Sequence, residues 1–245
     1  MKKLLSFILL LALMLHVGIS AYAEVMSRDG VLCYIDENGR EAAEIGLDVS
    51  FYNNQIDWQA LKDQGFSFVM IRVGGRGWGT GSIYGDRQTQ AFLRGAQEAG
   101  LKVGAYFYSA AVNPTEAVEE ASEALHTLDG FSLDLPLYID MELTGSYPNG
   151  RSDRLSPGER ADIAEAFCDT VEAAGYASGI YASEAFLRYN IDDEAVCYIP
   201  LWMASYTVDN HLPQYVDRYA VWQQSDSARA GGVDGPFDFN IIFPG

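Results

Sequence analysis

Short apolar segments with strand propensity recur eight times between residues 46 and 242, and helix signals fill most of the intervals between them. These segments span residues 46–50, 66–73, 101–108, 135–143, 177–182, 198–204, 218–223 and 237–242. Alternating strands and helices are typical of parallel sheets, and eight strands favour a closed barrel. The intervals after the fifth, sixth and seventh strands have weaker helix signals. The sequence therefore predicts an α/β fold, a single irregular TIM-like (β/α) barrel with incomplete helices in its second half.

Three helix starts support this interpretation. Asp57 is a suitable N-cap, Asn113-Pro114 combines a cap with a first-turn proline, and Ser156-Pro157 is completed by Glu159 as a capping box. An open doubly wound sheet is the alternative, but its usual glycine fingerprint is missing. The glycine-rich segment 74–85 has neither the spacing nor the Lys-Ser/Thr ending of a phosphate loop. We interpret it as a mobile loop over the active site of the barrel.

The first 23 residues have the pattern of a secretion signal. Lys2 and Lys3 precede an apolar centre at residues 4–15, and Ala21-Tyr22-Ala23 offers small residues for cleavage. A retained anchor is the alternative, but the apolar centre is short for a membrane span. Residues 24–45 are expected to form an N-terminal arm or hairpin around Asn38-Gly39, and residues 46–245 the barrel domain. A secreted or cell-wall-associated protein is predicted, with no membrane contact after cleavage.

The charge of the chain restricts its partners. The formal net charge is −18, and loss of Lys2 and Lys3 with the signal would make it −20. So acidic a surface argues against nucleic acid and anionic membranes as partners. It also gives no general attraction to an anionic cell wall, so binding to a wall would need a specific groove.

Histidine and cysteine usage argues against metal and histidine chemistry. After signal removal the chain would hold only two histidines, His126 and His211, which are far apart. Cys33, Cys168 and Cys197 are odd in number and their spacing fits no metal site. Cys168 could pair with Cys197, although its place near the apolar face of a helix favours a buried free thiol. No metal or cofactor is expected.

Two carboxylates end the fourth strand, in the segment Leu135–Leu143. Side chains alternate along a strand, so Asp140 and Glu142 face one side while Ile139 and Met141 face the other. Two neighbouring acids raise each other's proton affinity, so that one tends to stay protonated while the other ionises. A glycosidase needs this division between an acid and an anion. The alternative is a strand end with two surface acids.

Further candidates lie on other strands. Asp48 is on the first strand and Asp238 on the eighth, and these two strands are neighbours in a closed barrel. They could therefore face the Asp140–Glu142 pair across the mouth, where barrel enzymes carry their chemistry. Aromatic rings suit the flat faces of sugars, although core packing is the alternative for each of them. The candidate substrate-binding aromatics are Tyr106, Tyr108, Tyr181, Trp202 and Trp222.

Segments spread over residues 46–243 resemble the glycoside hydrolase family 25 lysozymes, the Chalaropsis-type N-acetylmuramidases. The resemblance rests on the order and spacing of segments 46–50, 56–58, 68–72, 99–106, 135–142, 179–181, 201–206, 221–223 and 237–240. It implies a β/α barrel with irregular later helices, a long groove, and hydrolysis of the β-1,4 bond between N-acetylmuramic acid and N-acetylglucosamine in peptidoglycan.

The resemblance also implies roles for single residues. Glu142 is similar to the family's general acid, Asp140 to its partner carboxylate, Asp48 and Asp238 to the other two acids, and Tyr106 to a groove tyrosine. Retention of configuration is expected, with Asp140 acting as nucleophile or orienting the 2-acetamido group of the sugar. Peptidoglycan glycan strands are the expected partner of a monomer. The alternatives are a non-catalytic peptidoglycan- or chitin-binding barrel, and a glycosidase for another N-acetylglucosamine polymer.

Overall fold

The computed structural model describes residues 24–28, 31–35, 39, 44–53, 55–145, 150–206 and 219–242. The predicted signal lies outside them, and among them no helix is long and apolar enough to cross a bilayer. The described strands are β1 (Glu24–Arg28), β2 (Val31–Ile35), β3 (Glu44–Val49), β4 (Phe68–Arg76), β5 (Ile83–Gly85), β6 (Lys102–Tyr108), β7 (Leu137–Asp140), β8 (Ser178–Ser183), β9 (Leu201–Ala204), β10 (Tyr219–Ala228) and β11 (Phe237–Ile242). The described helices are α1 (Trp58–Asp63), α2 (Thr89–Glu98), α3 (Pro114–Thr127), α4 (Pro157–Ala173) and α5 (Glu184–Tyr189).

Eight of these strands form a closed barrel, as the sequence predicts. Their order is β3-β11-β10-β9-β8-β7-β6-β4, and pairing of β3 with β4 closes the ring. The second half has incomplete helices, because α5 has only six residues and residues 229–236 contain none. One expectation is wrong: β11 runs antiparallel to both β10 and β3, whereas the remaining barrel neighbours are parallel.

The helix starts follow the predicted capping chemistry. The Asp57 side chain accepts a hydrogen bond from the Ala60 backbone N–H, and the Asn113 side chain accepts one from the Glu116 backbone N–H. Ser156 and Glu159 form the complete capping box before α4. Each cap satisfies a backbone donor that a helix start leaves without a partner. These caps fix α1, α3 and α4 at the rim where the preceding strands end.

Two segments bear on the sequence expectations. In the N-terminal arm β1 pairs antiparallel with β2, and Arg28 is the register partner of Val31. The hairpin expected around Asn38-Gly39 stays a prediction. The strand expected after Gly39 lies outside the described residues. The glycine-rich segment 74–85 is not simply a loop, because Gly74, Gly75 and Arg76 continue β4 and pair with β5. It is a β-hairpin that projects from the rim.

Side chains of the barrel strands alternate between two apolar clusters. The inner cluster fills the barrel and consists of Phe68, Met70, Tyr106, Tyr138, Tyr181, Trp202, Ala204 and Val221. The outer cluster, which includes Ile139, Met141 and Trp222, lies between the barrel and its helices. The alternation expected along β7 is therefore confirmed, since Tyr138 and Asp140 face inward while Ile139 faces outward.

Glycines make room for the aromatic filling. A methyl group on Gly179 would lie 2.4 Å from Cε1 of Tyr138 and 2.9 Å from the carbonyl oxygen of Pro200. The Tyr138 ring is fully buried, so it has no free space in which to move aside. The close packing of the Tyr138 ring inside the barrel therefore depends on glycine, which has no side chain, at position 179.

Gly179→Ala is expected to lower the free energy of unfolding by about 1–3 kcal/mol, the usual cost of overpacking a core. Gly158→Ala on α4 is the matched control, because nothing lies within 4 Å of its added methyl group and alanine favours helix. Urea denaturation of both variants measures the difference. A Gly179→Ala protein as stable as Gly158→Ala would contradict this packing.

Candidate active site

Two pairs of carboxyl groups meet at the rim where the parallel strands end. Asp140 is the last residue of β7, and Glu142 follows in the loop. Asp48, near the end of β3, is the direct register partner of Asp238 on β11. The negative charge of Asp48 acts on Asp140, and that of Asp238 acts on Glu142. The structure thus brings the four acids together as the sequence predicts.

The reversed direction of β11 is what places Asp238 in this group. Asp238 is the second residue of its strand, so a parallel strand would carry it to the opposite end of the barrel. Because β11 is antiparallel, its beginning lies beside the end of β3. The correction to the predicted topology is therefore necessary for the predicted site.

Asp48 and Asp238 form a hydrogen-bonded carboxyl pair. Burial raises the pKa of Asp48 well above its usual range, and the charge of Asp238 adds to this effect. Oδ2 of Asp48 accepts hydrogen bonds from Nε2 of Gln223 at 2.8 Å and Nδ2 of Asn240 at 2.9 Å. Burial also raises the pKa of Asp238. Two like charges this close oppose each other's formation, so ionisation of one carboxyl is linked to that of the other.

Asp140 is buried and only partly satisfied. Within the described part of the chain its Oδ1 atom makes no hydrogen bond, although the atom is shielded from solvent. Burial raises the pKa of Asp140 well above its usual range, the charges of Glu142 and Asp48 raise it further, and the Arg72 guanidinium lowers it. A buried acceptor without a partner costs stability unless a ligand supplies the donor.

Glu142 stands higher in the mouth than Asp140. Part of its side chain is exposed, while protein atoms crowd the rest of it. This partial desolvation raises the pKa of Glu142, and the charge of Asp238 adds to it. Its carboxyl lines an open recess of about 690 Å³ with Tyr181 and Tyr206. Glu142 can therefore hold a proton where a solvent-borne ligand reaches it.

The predicted aromatics divide into three groups. Tyr106 and Tyr181 lie on the inner face just below the acids and pack edge-on or tilted against Trp202, with centroid distances of 5.5 and 4.5 Å. Tyr108 is half-buried at the rim beside Asp140. Trp202 and Trp222 are 1% and 0% exposed, so neither ring can stack on a sugar. For these two the expectation of direct substrate contact is wrong.

The two tryptophans have supporting places instead. The Trp202 indole N–H donates to Oδ1 of Asn240 at 2.7 Å, and Asn240 in turn donates to Asp48. Trp222 faces the outer cluster, where its indole N–H donates to the carbonyl of Ser205. Trp202 therefore orients Asn240, which donates a hydrogen bond to Asp48.

Three polar residues of the site were not predicted. Gln223 and Asn240 hold Asp48, and Gln223 also accepts from the hydroxyls of Tyr181 and Tyr206 at 2.8 and 2.7 Å. Strand alternation contained a signal for Asn240, which is two residues from Asp238 and must share its face. The Arg72 guanidinium acts on Asp140 and lowers its pKa, and the Nε of Arg72 donates to Oδ2 of Asp86 at 3.1 Å.

Neither the cysteines nor the acids form a metal centre in the described residues, where no group of three or more His, Cys, Asp or Glu side chains is suitably clustered. Cys168 and Cys197 are both free. Burial raises the pKa of the Cys168 thiol to about 12, which makes it unreactive. What the site offers is acid–base chemistry from four carboxyl groups.

Comparisons with known proteins agree with this geometry. An autolytic lysozyme of Clostridium acetobutylicum is 32% identical over 201 residues, which are 82% of this chain and 56% of the relative. The modular autolysin LytC of Streptococcus pneumoniae, solved with a synthetic peptidoglycan ligand, has the same fold with a TM-score of 0.76 at 21% identity, covering 89% of this chain and 52% of that one. A lysozyme of Streptomyces coelicolor gives 0.66 at 25% identity, covering 82% and 92%.

The chain spans only about half the length of the first two of these proteins. The sequence model of one family, described as glycosyl hydrolases family 25, matches residues 47–233, which is most of the chain. That stretch includes Asp48, Asp140 and Glu142, and Asp238 follows it by five residues. The chain belongs to glycosyl hydrolase family 25.

Proposed function

We propose that this protein is a secreted or cell-wall-associated lysozyme that hydrolyses the β-1,4 bond between N-acetylmuramic acid and N-acetylglucosamine in peptidoglycan. The convergence of two carboxyl pairs at an open rim of the barrel is the observation that carries the proposal. The names of the Clostridium and Streptomyces relatives support peptidoglycan as the substrate class.

Glu142 is proposed as the general acid. It lines an open recess and its pKa is raised by partial desolvation, so it keeps a proton at a pH where an exposed glutamate has lost it. It donates this proton to the glycosidic oxygen as the bond to the sugar carbon breaks. Glu142 then takes a proton from the incoming water as the second half of the reaction proceeds.

Asp140 is proposed as the carboxylate that supports the reacting sugar. The unpartnered Oδ1 can accept the N–H of the 2-acetamido group, whose oxygen then attacks the sugar carbon. That hydrogen bond favours the ionised form and lowers the pKa of Asp140. The charge of Glu142 raises the pKa of Asp140, so an ionised Asp140 and a protonated Glu142 favour one another, which is the arrangement that the reaction needs.

The remaining groups hold the sugar in place. The Asp48–Asp238 pair lies across the mouth from Asp140 and can bind sugar hydroxyls while supporting positive charge at the reacting carbon. Tyr106 and Tyr181 present their hydroxyl edges to the same space, and Tyr108 lies at its rim. Gln223 fixes both Asp48 and Tyr181, so these groups are positioned before substrate binds.

Release of reducing sugar from purified peptidoglycan tests catalysis against simple binding. A hydrolase raises the reducing-end count with time, and Glu142→Gln abolishes the rise. A binding barrel sediments with the wall and releases nothing. The same assay on chitin tests the other enzymatic alternative, since a chitinase would release reducing ends from a polymer without N-acetylmuramic acid.

Proton NMR of the first product tests retention. Attack by the acetamido oxygen or by Asp140 inverts the sugar carbon once, and water inverts it again, so the first product is the β-anomer. An α-anomer would exclude both routes. A covalent sugar adduct mapped to Asp140 by peptide mass spectrometry would identify Asp140 as the nucleophile and exclude the acetamido route.

Asp238→Asn is expected to move the alkaline limb of the pH–rate profile to lower pH. The general acid must be protonated, so activity falls as pH rises through the pKa of Glu142. The negative charge of Asp238 raises that pKa, and its removal lowers it. Asp129→Asn, an exposed change remote from the mouth, serves as control. An unmoved limb, or one at higher pH, would contradict the coupling.

A further inference from the structure

The order of the barrel strands defines the direction of a groove across the mouth. In the ring, β7 with Asp140 lies opposite β11 with Asp238, four places away on either side. Strands β6, β4 and β3 occupy one side between them, and β8, β9 and β10 occupy the other. A linear polymer that passes between the two carboxyl pairs must therefore cross from the β4–β6 side to the β8–β9 side.

A recess lies on each of these two sides. The hairpin recess, of about 520 Å³, is lined by Phe51, Tyr52, Arg72, Trp78, Tyr84 and Tyr108. The tyrosine recess, of about 690 Å³, is lined by Glu142, Tyr181, Tyr189 and Tyr206 among others. Both open at the rim that carries the four acids. The hairpin recess includes Tyr108, the register partner of Asp140, and the tyrosine recess includes Glu142, so the two recesses flank this carboxyl pair.

The hairpin recess presents three aromatic rings to solvent. Tyr52 is 75% exposed, Trp78 41% and Tyr84 37%, although large aromatic side chains are usually buried. Exposed rings gathered around one concavity mark a binding surface. Rings of this kind present flat apolar faces with a polar edge, which suits the C–H faces and hydroxyl rim of a pyranose.

The wall that carries Trp78 and Tyr84 is firmly held. Arg76 at the end of β4 is buried, and it donates to Oε1 of Glu120 at 2.8 Å and to the carbonyl of Gly81 at 2.9 Å. The Trp78 carbonyl accepts from the Arg151 backbone N–H at 3.0 Å, which joins the hairpin to the loop after β7. A platform fixed in advance loses little entropy when it binds a ligand.

The position of Glu142 fixes which end of the glycan enters each recess. A general acid protonates the oxygen of the leaving group, which is the part of the chain on the reducing side of the cleaved bond. Glu142 lines the tyrosine recess and not the hairpin recess. The leaving part therefore lies over β8 and β9, and the other part must lie over β4 and β6.

We propose that the hairpin recess binds the sugars on the non-reducing side of the cleaved bond, with Tyr52, Trp78 and Tyr84 as the surfaces on which they stack. This inference rests on the proposed function, since it takes Glu142 as the acid. The glycine-rich segment 74–85 is on this account part of the platform that sets the preference for glycan length on the non-reducing side.

Two substrates with the same leaving group test the proposal. The first is an aryl β-glycoside of N-acetylmuramic acid, which has no further sugar on the non-reducing side of the reacting one. The second is the aryl glycoside of a tetrasaccharide of alternating N-acetylglucosamine and N-acetylmuramic acid, which has three. For Trp78→Ala and Tyr52→Ala we expect the preference for the tetrasaccharide in kcat/KM to fall about 3- to 10-fold, mainly through KM, with the monosaccharide rate unchanged.

Two further variants make the result decisive. Tyr189→Ala, in the tyrosine recess, should leave the ratio of the two substrates unchanged, as should Tyr198→Ala, whose ring is 67% exposed on a different surface. Tyr52→Ala changes a loop side chain outside the hairpin, so it tests the proposal even if Trp78→Ala fails to fold. An unchanged ratio in both hairpin-recess variants, or a fall only in Tyr189→Ala, would overturn the proposal. If the wild type cleaves neither substrate nor peptidoglycan, the proposed function itself fails.

Discussion

Replacing Glu142 with glutamine is expected to lower kcat/KM on peptidoglycan about 10²- to 10⁴-fold, the usual contribution of general acid catalysis. Glutamine keeps the size and shape of the side chain but has no proton to give. Glu142 is partly exposed and outside any strand, so the change should leave the fold and its stability intact. Clearing of a cell-wall suspension, followed at equal enzyme concentrations, measures the loss.

The matched control for this variant is Glu165→Gln on the outer side of α4, where the carboxylate accepts from the Tyr198 hydroxyl and takes no part in the mouth. It should clear walls at the wild-type rate. A Glu142→Gln enzyme as active as this control would remove Glu142 from the mechanism. The pH dependence is a second check, since the alkaline limb assigned to Glu142 should vanish from any residual activity.

Asp140→Asn is expected to separate activity from stability. The rate should fall about 10²- to 10³-fold, because a neutral amide cannot stabilise the positive charge that develops at the reacting sugar. Stability should be unchanged or higher near neutral pH. Burial raises the pKa of Asp140 in the folded state, so ionising it opposes folding, and asparagine carries no charge to bury.

The sign of this linkage can be tested by pH. A carboxyl whose folded pKa lies above its unfolded value stabilises the fold while protonated, and this stabilisation is lost as pH rises through the folded pKa. Thermal unfolding should therefore show the stability of Asp140→Asn relative to wild type increasing from pH 4 to neutral pH. A variant destabilised at every pH would mean that Asp140 serves the fold, and its lost activity would then say nothing about catalysis.

The sequence could predict where the barrel strands and their carboxylates lie, but not the direction of each strand. Short apolar segments with strand propensity identified all eight barrel strands, and a carboxylate at the end of a buried strand stood out at Asp48 and Asp140. Asp238 was also found, although the direction of β11 was not, because strand patterns read the same in both directions. Direction depends on the connection, and residues 229–236 form only a short helix-free turn.

The errors came from choosing between the two faces of a strand. Trp222 looked like a sugar-binding ring, but it faces outward and its neighbour Gln223 faces the site. An aromatic residue is attractive in both places, so residue type alone could not decide. The hairpin of residues 74–85 was missed because glycine weakens strand propensity, while the pairing with β5 comes from contacts that no local pattern contains.

The identity of the sugar at the new reducing end tests the central claim most directly. Purified peptidoglycan would be digested, the fragments reduced with borohydride, and the sugar alcohol identified by mass spectrometry. Cleavage after N-acetylmuramic acid predicts fragments that end in N-acetylmuramitol, with none from Glu142→Gln. Fragments that end in N-acetylglucosaminitol, or an undigested wall with wild-type protein bound to it, would contradict the account.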